Sequence, residues 1–527
     1  MPISSSGQGH DIILISAEYW DDHPLSPVGV IARVLDARGF SVGIIEKPAA
    51  DRDFRRLGKP KLFFGVTSGS IDSMLNNYTP MKRKRAEDKH AKANPMPDRA
   101  VIVYCNSLRK LFKGCRIIIG GIEASLRRFT HYDYWDNDVR RSMLLDSRAD
   151  VLVYGNGELQ IIELAERAKA GKDLFGVPGT CTLSKEIPEG FEALPSHTEA
   201  AESKKKFCVM QNRFSNRKNL AQEYNRNFIL QFAAPKYTTE TLDWIYGLGY
   251  SRDMHPGSQL RMAQFSIVTH RGCIGNCSFC SLALHQGDRI ISRSPDSILA
   301  ELKKISLHRE FRGTIDDLGG PSANMYGMDC GKCDDRDCLS CRNLDRSQTP
   351  ILRLMRQARQ VRGVKRILVR SGVRYDLAVE SPDYVRELSE FHVSGCLKVA
   401  PEHFSERVLS LMNKPGERFG EFIQMFGRMN SRTGNSLRYY LMIAHPGEDW
   451  KTLDALVERA KTLGNIENFQ LFTPTPMTLS TCMYWTGTDP RTMKPVKVVY
   501  DYRTKKKMKE RMLAIIKRPA EADAGGF

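Results

Sequence analysis

His270-Arg-Gly-Cys-Ile-Gly-Asn-Cys-Ser-Phe-Cys280 places three cysteines, Cys273, Cys277 and Cys280, in the spacing C-x3-C-x2-C, with the aromatic Phe279 just before the third. Three soft thiolates this close can hold three corners of a cubane iron–sulfur cluster, leaving the fourth iron open to a small molecule. The competing readings are a zinc knot and three unrelated buried thiols. Zinc takes four ligands, usually with paired C-x2-C spacing, which this run lacks.

Around the triplet, strand-like runs recur at residues 264–269, 313–318, 366–370, 396–400, 438–443 and 468–472. Amphipathic segments at 296–306, 350–362, 382–391, 404–412, 417–430 and 449–463 separate them. Six strand–helix units are too few for an eight-fold barrel and fit a partial (βα)6 barrel, whose chemistry gathers at the carboxyl ends of the strands. The triplet follows the first of these strands, and Asp317-Leu-Gly-Gly-Pro321 closes the second. Glycines there allow close backbone approach to a ligand, or form a plain turn.

Upstream, residues 11–170 alternate strand and helix as well, with strands expected at 12–16, 41–46, 62–66, 101–104, 116–120 and 151–154. That order implies a doubly wound parallel sheet in an α/β fold, with ligands beyond the strands' carboxyl ends. Gly120-Gly-Ile-Glu-Ala-Ser125 and Gly155-Asn-Gly-Glu158 follow strands and are either ligand loops or tight turns. Asp21-Asp-His23-Pro-Leu-Ser26 has the form D-x-H-x-x-S. It resembles the D-x-H-x-x-G loop of cobalamin-binding domains, where the histidine ligates cobalt. Serine in place of glycine and a proline after His23 leave a plain turn as the alternative. The domains expected are 1–183, Rossmann-like and cobalamin-binding-like; 184–258, a connector; 259–489, the barrel; and 490–527, a basic tail.

A second set, Cys330-Gly-Lys-Cys333 and Cys338-Leu-Ser-Cys341, interrupts the barrel at 330–341. Two C-x2-C knuckles suit a tetrahedral zinc site or an auxiliary iron–sulfur cluster. Of the thirteen cysteines in 527 residues, seven fall in these two sets, which points to metal binding in a reducing cytoplasm. No apolar run approaches the roughly 18 residues of a membrane span. The first residues, Met-Pro-Ile-Ser-Ser-Ser, lack the pattern of an export signal, so a cytoplasmic protein is expected. The net charge of +18 favours anionic partners, RNA or phosphorylated metabolites among them, against the alternative of a solvated basic surface. The basic runs at 82–85, 204–206 and 505–507 are not interleaved with aromatic residues.

The triplet resembles the signature of the radical S-adenosylmethionine (SAM) enzymes. That resemblance implies SAM chelated to the open iron, reductive cleavage to a 5′-deoxyadenosyl radical, and a flavodoxin- or ferredoxin-like electron donor. Gly319 and Gly320 then correspond to the glycine motif that meets the SAM amino group. Phe279, Ser371, Arg374 and Glu402 are further candidates for SAM contact, and His403, His445 and Glu448 offer polar groups to the same mouth. Longer strings carry a closer resemblance, to the YgiQ-type radical SAM family: Gly120-Gly-Ile-Glu-Ala-Ser-Leu-Arg-Arg128, His131-Tyr-Asp-Tyr-Trp135, Gly155-Asn-Gly-Glu158, Arg271 to Cys280, Asp317-Leu-Gly-Gly-Pro-Ser-Ala-Asn-Met-Tyr326 and Ser371-Gly-Val-Arg-Tyr-Asp376. It spans about residues 10–490 and implies a cobalamin-domain-like N-terminal region, a radical SAM core and one 4Fe–4S cluster on Cys273, Cys277 and Cys280. It names no substrate. Cys105 and Cys115 are the only cysteines before residue 181, too few for the N-terminal cluster of the methylthio-transferring radical SAM enzymes. The alternative function is a non-catalytic iron–sulfur or zinc protein that binds nucleic acid or a protein partner.

Overall fold

Ile12–Ser16 is buried along its whole length. Ile13 and Ile15 enter one core and Ile12 and Leu14 another, because helices cover both faces of the sheet that this strand centres. In the computed structural model, which describes residues 3–4, 6–85, 95–333 and 337–516, six strands of this sheet run parallel. Their order is Ile3–Ser4, Val42–Glu46, Ile12–Ser16, Phe63–Thr67, Ile117–Ile119 and Val151–Val153. Helices Pro27–Asp36 and Glu158–Lys169 cover one face and Ala100–Leu111 the other. The strand order reverses beside Ile12–Ser16, which opens a crevice at the carboxyl ends. Residues 86–94, 334–336 and 517–527 lie outside the described residues, and with them most of the acidic run between the cysteine knuckles and the end of the expected tail.

Three expectations change. Residues 101–104 form no strand; they lie in the helix Ala100–Leu111. Val101, Tyr104, Cys105 and Leu108 are its buried residues, a helical period that outweighs the local β-branched run. The connector 184–258 is not separate from the sheet. Thr180–Ser184, Asn227–Gln231 and Leu220–Tyr224 extend it antiparallel, and Glu192–Ala193 completes the edge. The hairpin between Leu220–Tyr224 and Asn227–Gln231 turns on Asn225 and Arg226, both at positive φ (47° and 66°), the backbone of a tight hairpin turn. The region from 490, set apart as a tail, also packs on the core. Its helix Tyr502–Ile516 buries Met508 and Met512 against Leu453, Leu456 and Phe469 of the barrel.

The barrel strands are Ser266–Val268, Thr314–Ile315 with Asp317–Gly319, Arg366–Ile367, Cys396–Glu402, Ser436–Ile443 and Ile466–Leu471. All their pairings are parallel: 266–268 with 317–319, 314–315 with 366–367, and 396–402 with 436–443 and then 466–471. Between the third and fourth strands the ladder is interrupted, and the Val369 N–H donates to His392 O at 3.0 Å instead. Helices Pro295–Ser306, Thr349–Ala358, Pro382–Glu387 and Phe419–Met429 pack outside this wall. No helix among the described residues is long and apolar enough to cross a membrane.

Candidate functional site

The loop after the first barrel strand is held rigidly. Gly272 stands at φ 84°, and a Cβ there would lie 1.8 Å from Arg289 O, so only glycine fits. Cys273 N–H donates to Gly287 O (3.1 Å), Ser278 N–H to Met412 O (2.8 Å), and Ser278 O accepts from Ser480 N–H (2.9 Å). Burial raises the pKa of Cys273 and pushes that of Cys280 up to about 12, and Cys277 adds to both. Thiols of this kind give up their protons when a metal takes their place. Two cations face them. Arg374 Nη1 is 4.0 Å from Cys277 Sγ, and Lys414 lowers the pKa of Cys273 and Cys280. Three thiols beside two cations are a donor set suited to a cluster that carries net negative charge.

The other candidates surround this loop. Arg374 is buried and pinned by Asp376 at 2.7 Å; burial opposes its charge, but the carboxylate outweighs burial and raises its pKa. Asn324 fixes the Arg374 backbone from both sides, at 2.9 Å each. Asp317 accepts from the N–H groups of Arg370 (2.7 Å) and Ser371 (3.0 Å) and from the Ser371 hydroxyl. Gly319 and Gly320 are required by packing. A Cβ would lie 2.5 Å from Ser371 Oγ at Gly319, and 2.5 Å from the His270 ring at Gly320. Glu402 stands at φ 66° on a bulge, with Oε1 3.4 Å from Lys414 Nζ. Phe279 meets His445 edge-on with ring centroids 6.4 Å apart. His403, His445 and Glu448 do not offer groups to the mouth: all three are buried, His403 Nε2–H donates to Glu448 Oε1 (3.0 Å), and His445 Nε2 accepts from Ser480 (2.7 Å).

The two sets of strand ends face one another across a cavity of roughly 440 Å³. Gly120, Gly121, Gly155 and Gly157 line one side, and Gly319, Gly320 and Ser371 the other. His23 takes no part. It is fully buried, its Nδ1 accepts from Leu25 N–H (3.0 Å), and its Nε2–H donates to Gln264 O (2.8 Å). Ser26, at the glycine position of the cobalamin loop, caps the helix Pro27–Asp36 through Gly29 N–H. Most of the Gly120 to Arg128 string is likewise architectural. Glu123 accepts from Ser73 N–H (2.9 Å) and Val101 N–H (3.2 Å), and buried Arg128 bonds Gln231 (2.8 Å). In the second cysteine set, Cys333 is exposed and Cys330, Cys338 and Cys341 are half-buried. Cys338 packs with Cys273 against Ile274, Ile290 and Leu344. Among the described residues no three His, Cys, Asp or Glu side chains converge tightly enough to hold a single ion.

Two family models match, Radical SAM N-terminal over residues 4–268 and Radical SAM superfamily over 267–460. Proteins named UPF0313 are similar over most of their length. One from Methanocaldococcus jannaschii is 43% identical over 94% of this chain and 88% of its own. One from Fusobacterium nucleatum is 39% identical over 95% of each. The chain belongs to the UPF0313 family. That is the YgiQ family of the sequence resemblance. This UPF0313 chain is a radical SAM enzyme, and the superfamily's cofactors are SAM and a 4Fe–4S cluster. The non-catalytic reading is therefore set aside.

Among solved structures, the UPF0313 chain is similar in fold to the radical SAM methyltransferase TsrM from Kitasatospora setae, with cobalamin and a 4Fe–4S cluster bound (TM-score 0.54, 16% identity, 90% of this chain and 76% of that one). It is also similar to the cobalamin-dependent SAM radical enzyme OxsB (TM-score 0.51, 10% identity, 96% and 62%). Both support an N-terminal α/β sheet followed by a radical SAM barrel. Sequence reasoning missed Lys414, a single polar residue that only the fold brings to the loop, and it assigned no role to His270 and Asn324, which stand inside the strings it singled out.

Proposed function

We propose that Cys273, Cys277 and Cys280 hold the 4Fe–4S cluster and that SAM lies between the open iron and the ends of the first three barrel strands. The observation that carries this is the triplet's seat: three half-buried thiols on a rigid loop after the first strand, faced by Arg374 and Lys414. Bound there, the reduced cluster and SAM supply a 5′-deoxyadenosyl radical that abstracts hydrogen from a substrate. The chain's own residues position and shield. Gly319 and Gly320 keep the second strand end low, Asp317 orders the turn at Ser371, and Arg374 offsets the charge of the cluster. Glu402 is held by Lys414 at the same mouth. Phe279 closes the loop against His445. The second set, Cys330, Cys333, Cys338 and Cys341, would have to draw together to hold a zinc ion or an auxiliary cluster, which would then buttress the triplet through the shared packing of Cys338 and Cys273. A cytoplasmic flavodoxin- or ferredoxin-like protein supplies the electron.

TsrM and OxsB bind cobalamin, and the cavity between the two sets of strand ends is the place for it in this fold. His23 would not ligate its cobalt, because both ring nitrogens are committed within the protein.

Electron paramagnetic resonance of the anaerobically reconstituted, reduced protein tests the proposal. A 4Fe–4S signal that SAM perturbs, and that is absent from C273A/C277A/C280A, is expected. The absence of any signal that SAM perturbs, or a SAM-perturbed signal that survives in the triple variant, contradicts it.

A further inference from the structure

We infer that the cleft at the mouth of the barrel takes a single-stranded nucleic acid, its phosphates on a basic rim and one nucleotide reaching inward to the triplet. This rests on the proposed function and adds its substrate class. The cleft measures roughly 1460 Å³, above the range of a pocket for one small molecule. Phe279, Cys280 and Glu402 line it, as do Arg83, Lys84 and Arg85 and, on the helix Tyr502–Ile516, Lys506 and Lys509.

These cations come from opposite ends of the chain, and the fold joins them. Arg83 Nη2 donates to Tyr502 Oη at 2.7 Å. The helix Tyr502–Ile516 is locked by its inner face. Met508 and Met512 are buried, and Lys505 is drawn inside, donating to Tyr484 Oη at 2.9 Å and lying over the Tyr134 ring. Lys506 and Lys509, three residues apart, share the neighbouring face and are exposed. The acids of the cleft are Glu402, paired with Lys414 at 3.4 Å, and Glu510, 3.9 Å from Lys506. With Glu402 offset by Lys414 and Glu510 by Lys506, the charges of Arg83, Lys84, Arg85 and Lys509 leave the rim positive.

Cations spread over two adjoining segments along one cleft suit a chain of phosphates, whereas a single phosphate is held where donors converge on one point. Tyr440, Tyr502 and Phe279 line the same cleft. Their ring faces suit stacked bases, which an acidic peptide would not use. The aromatic residues missing from the basic runs in sequence are thus supplied by the fold.

The test is fluorescence anisotropy of the full-length, cluster-reconstituted protein with a labelled 12-nucleotide single-stranded RNA and its DNA counterpart, at several salt concentrations. K84A/R85A and K506A/K509A are each expected to weaken binding at least tenfold and to reduce the log–log salt slope by about 1.4, at ~0.7 for each phosphate contact. K204A/K205A, on a basic run away from the cleft, should bind as wild type does. On the wild-type protein, a 4-thiouridine oligonucleotide should crosslink to peptides that contain Tyr440 or Tyr502, which decides the matter if a rim variant fails to fold. Unchanged affinity in both folded rim variants, crosslinks elsewhere, or displacement of the oligonucleotide by equimolar inorganic phosphate or AMP would overturn the inference. Iron content and the SAM-perturbed resonance are read on the same sample. Failure of oligonucleotide binding with both intact removes only this inference, and binding without a cluster removes only the cofactor assignment.

Discussion

Arg271, two residues before the first cysteine of the triplet, donates from Nη1 to Glu158 Oε1 at 2.7 Å across the seam between the two sheets. Both residues are buried. Tyr246 Oη meets Arg271 Nε at 3.0 Å, and Tyr237 Oη donates to Glu158 Oε2 at 3.0 Å. The pair joins the Gly155-Asn-Gly-Glu158 loop of the N-terminal sheet to the cluster loop. Glu158→Gln leaves a buried guanidinium without its counter-charge, and a loss of about 3–5 kcal/mol is expected in chemical denaturation. The double variant E158Q/R271M should recover part of it, since the charge and its partner leave together. Equal stability of wild type and E158Q would show that the seam does not depend on this pair.

Close packing at the second strand end makes Gly319 and Gly320 sensitive. Gly319→Ala drives a Cβ into Ser371 Oγ, which Asp317 holds, and Gly320→Ala drives one into the buried His270 ring. Each should cost about 1–3 kcal/mol. Calorimetric titration should also show SAM affinity at least tenfold lower for G319A. Gly372→Ala, whose Cβ meets nothing within 4 Å, is the control for stability.

The fold should be acid-sensitive. Burial lowers the pKa of His23 and His445 to about 3, and of His131, His270 and His285 to about 4. Each is neutral in the folded protein, while the unfolded chain takes the proton near 6.5. The unfolded state therefore binds more protons between these values, and stability falls as pH drops below about 6.5. Each histidine contributes about 1.4 kcal/mol per pH unit in that window. Thermal melts should be nearly level above pH 7 and decline steeply from 6.5 to 5. A Tm at pH 5.5 equal to that at 7.5 would contradict this.

His23 is a structural residue on this reading. His23→Ala removes the bond to Gln264 O and opens a buried space, so Tm should fall by several degrees. Retention of hydroxocobalamin after desalting should be the same in variant and wild type. A cobalt spectrum that changes only in H23A would restore the histidine as a ligand.

Removal of the second cysteine set separates the two metal assignments. C330A/C333A/C338A/C341A should lose zinc or a share of the iron by elemental analysis, yet keep the SAM-sensitive resonance of the triplet. Unchanged zinc and iron would end the case for a second site.

Much of this was legible in the chain. The two alternations of strand and helix gave both halves of the fold, because a strand buried on both faces reads as a short apolar run and a covering helix as a 3.6-residue period. The helix Ala100–Leu111 was misread where the β-branched run Val101-Ile-Val103 hid the longer helical period. The strands at 192–193, 220–224 and 227–231 were missed because they carry mixed polar residues, among them Gln222, Glu223 and Gln231, in place of an apolar run.

Sequence alone determined the cysteine triplet and its loop, since metal ligation by neighbouring thiols is a matter of local spacing, and it determined the class of chemistry that follows. Tertiary structure alone decided what surrounds the loop. It closed His23 off through Gln264, 241 residues away, and set Lys414 beside the thiols. It also brought Arg83 to Tyr502 across 419 residues, so that two basic runs became one rim. Burial and ion pairing depend on distance in space, and side chains this far apart in the chain become neighbours only when the sheets have packed.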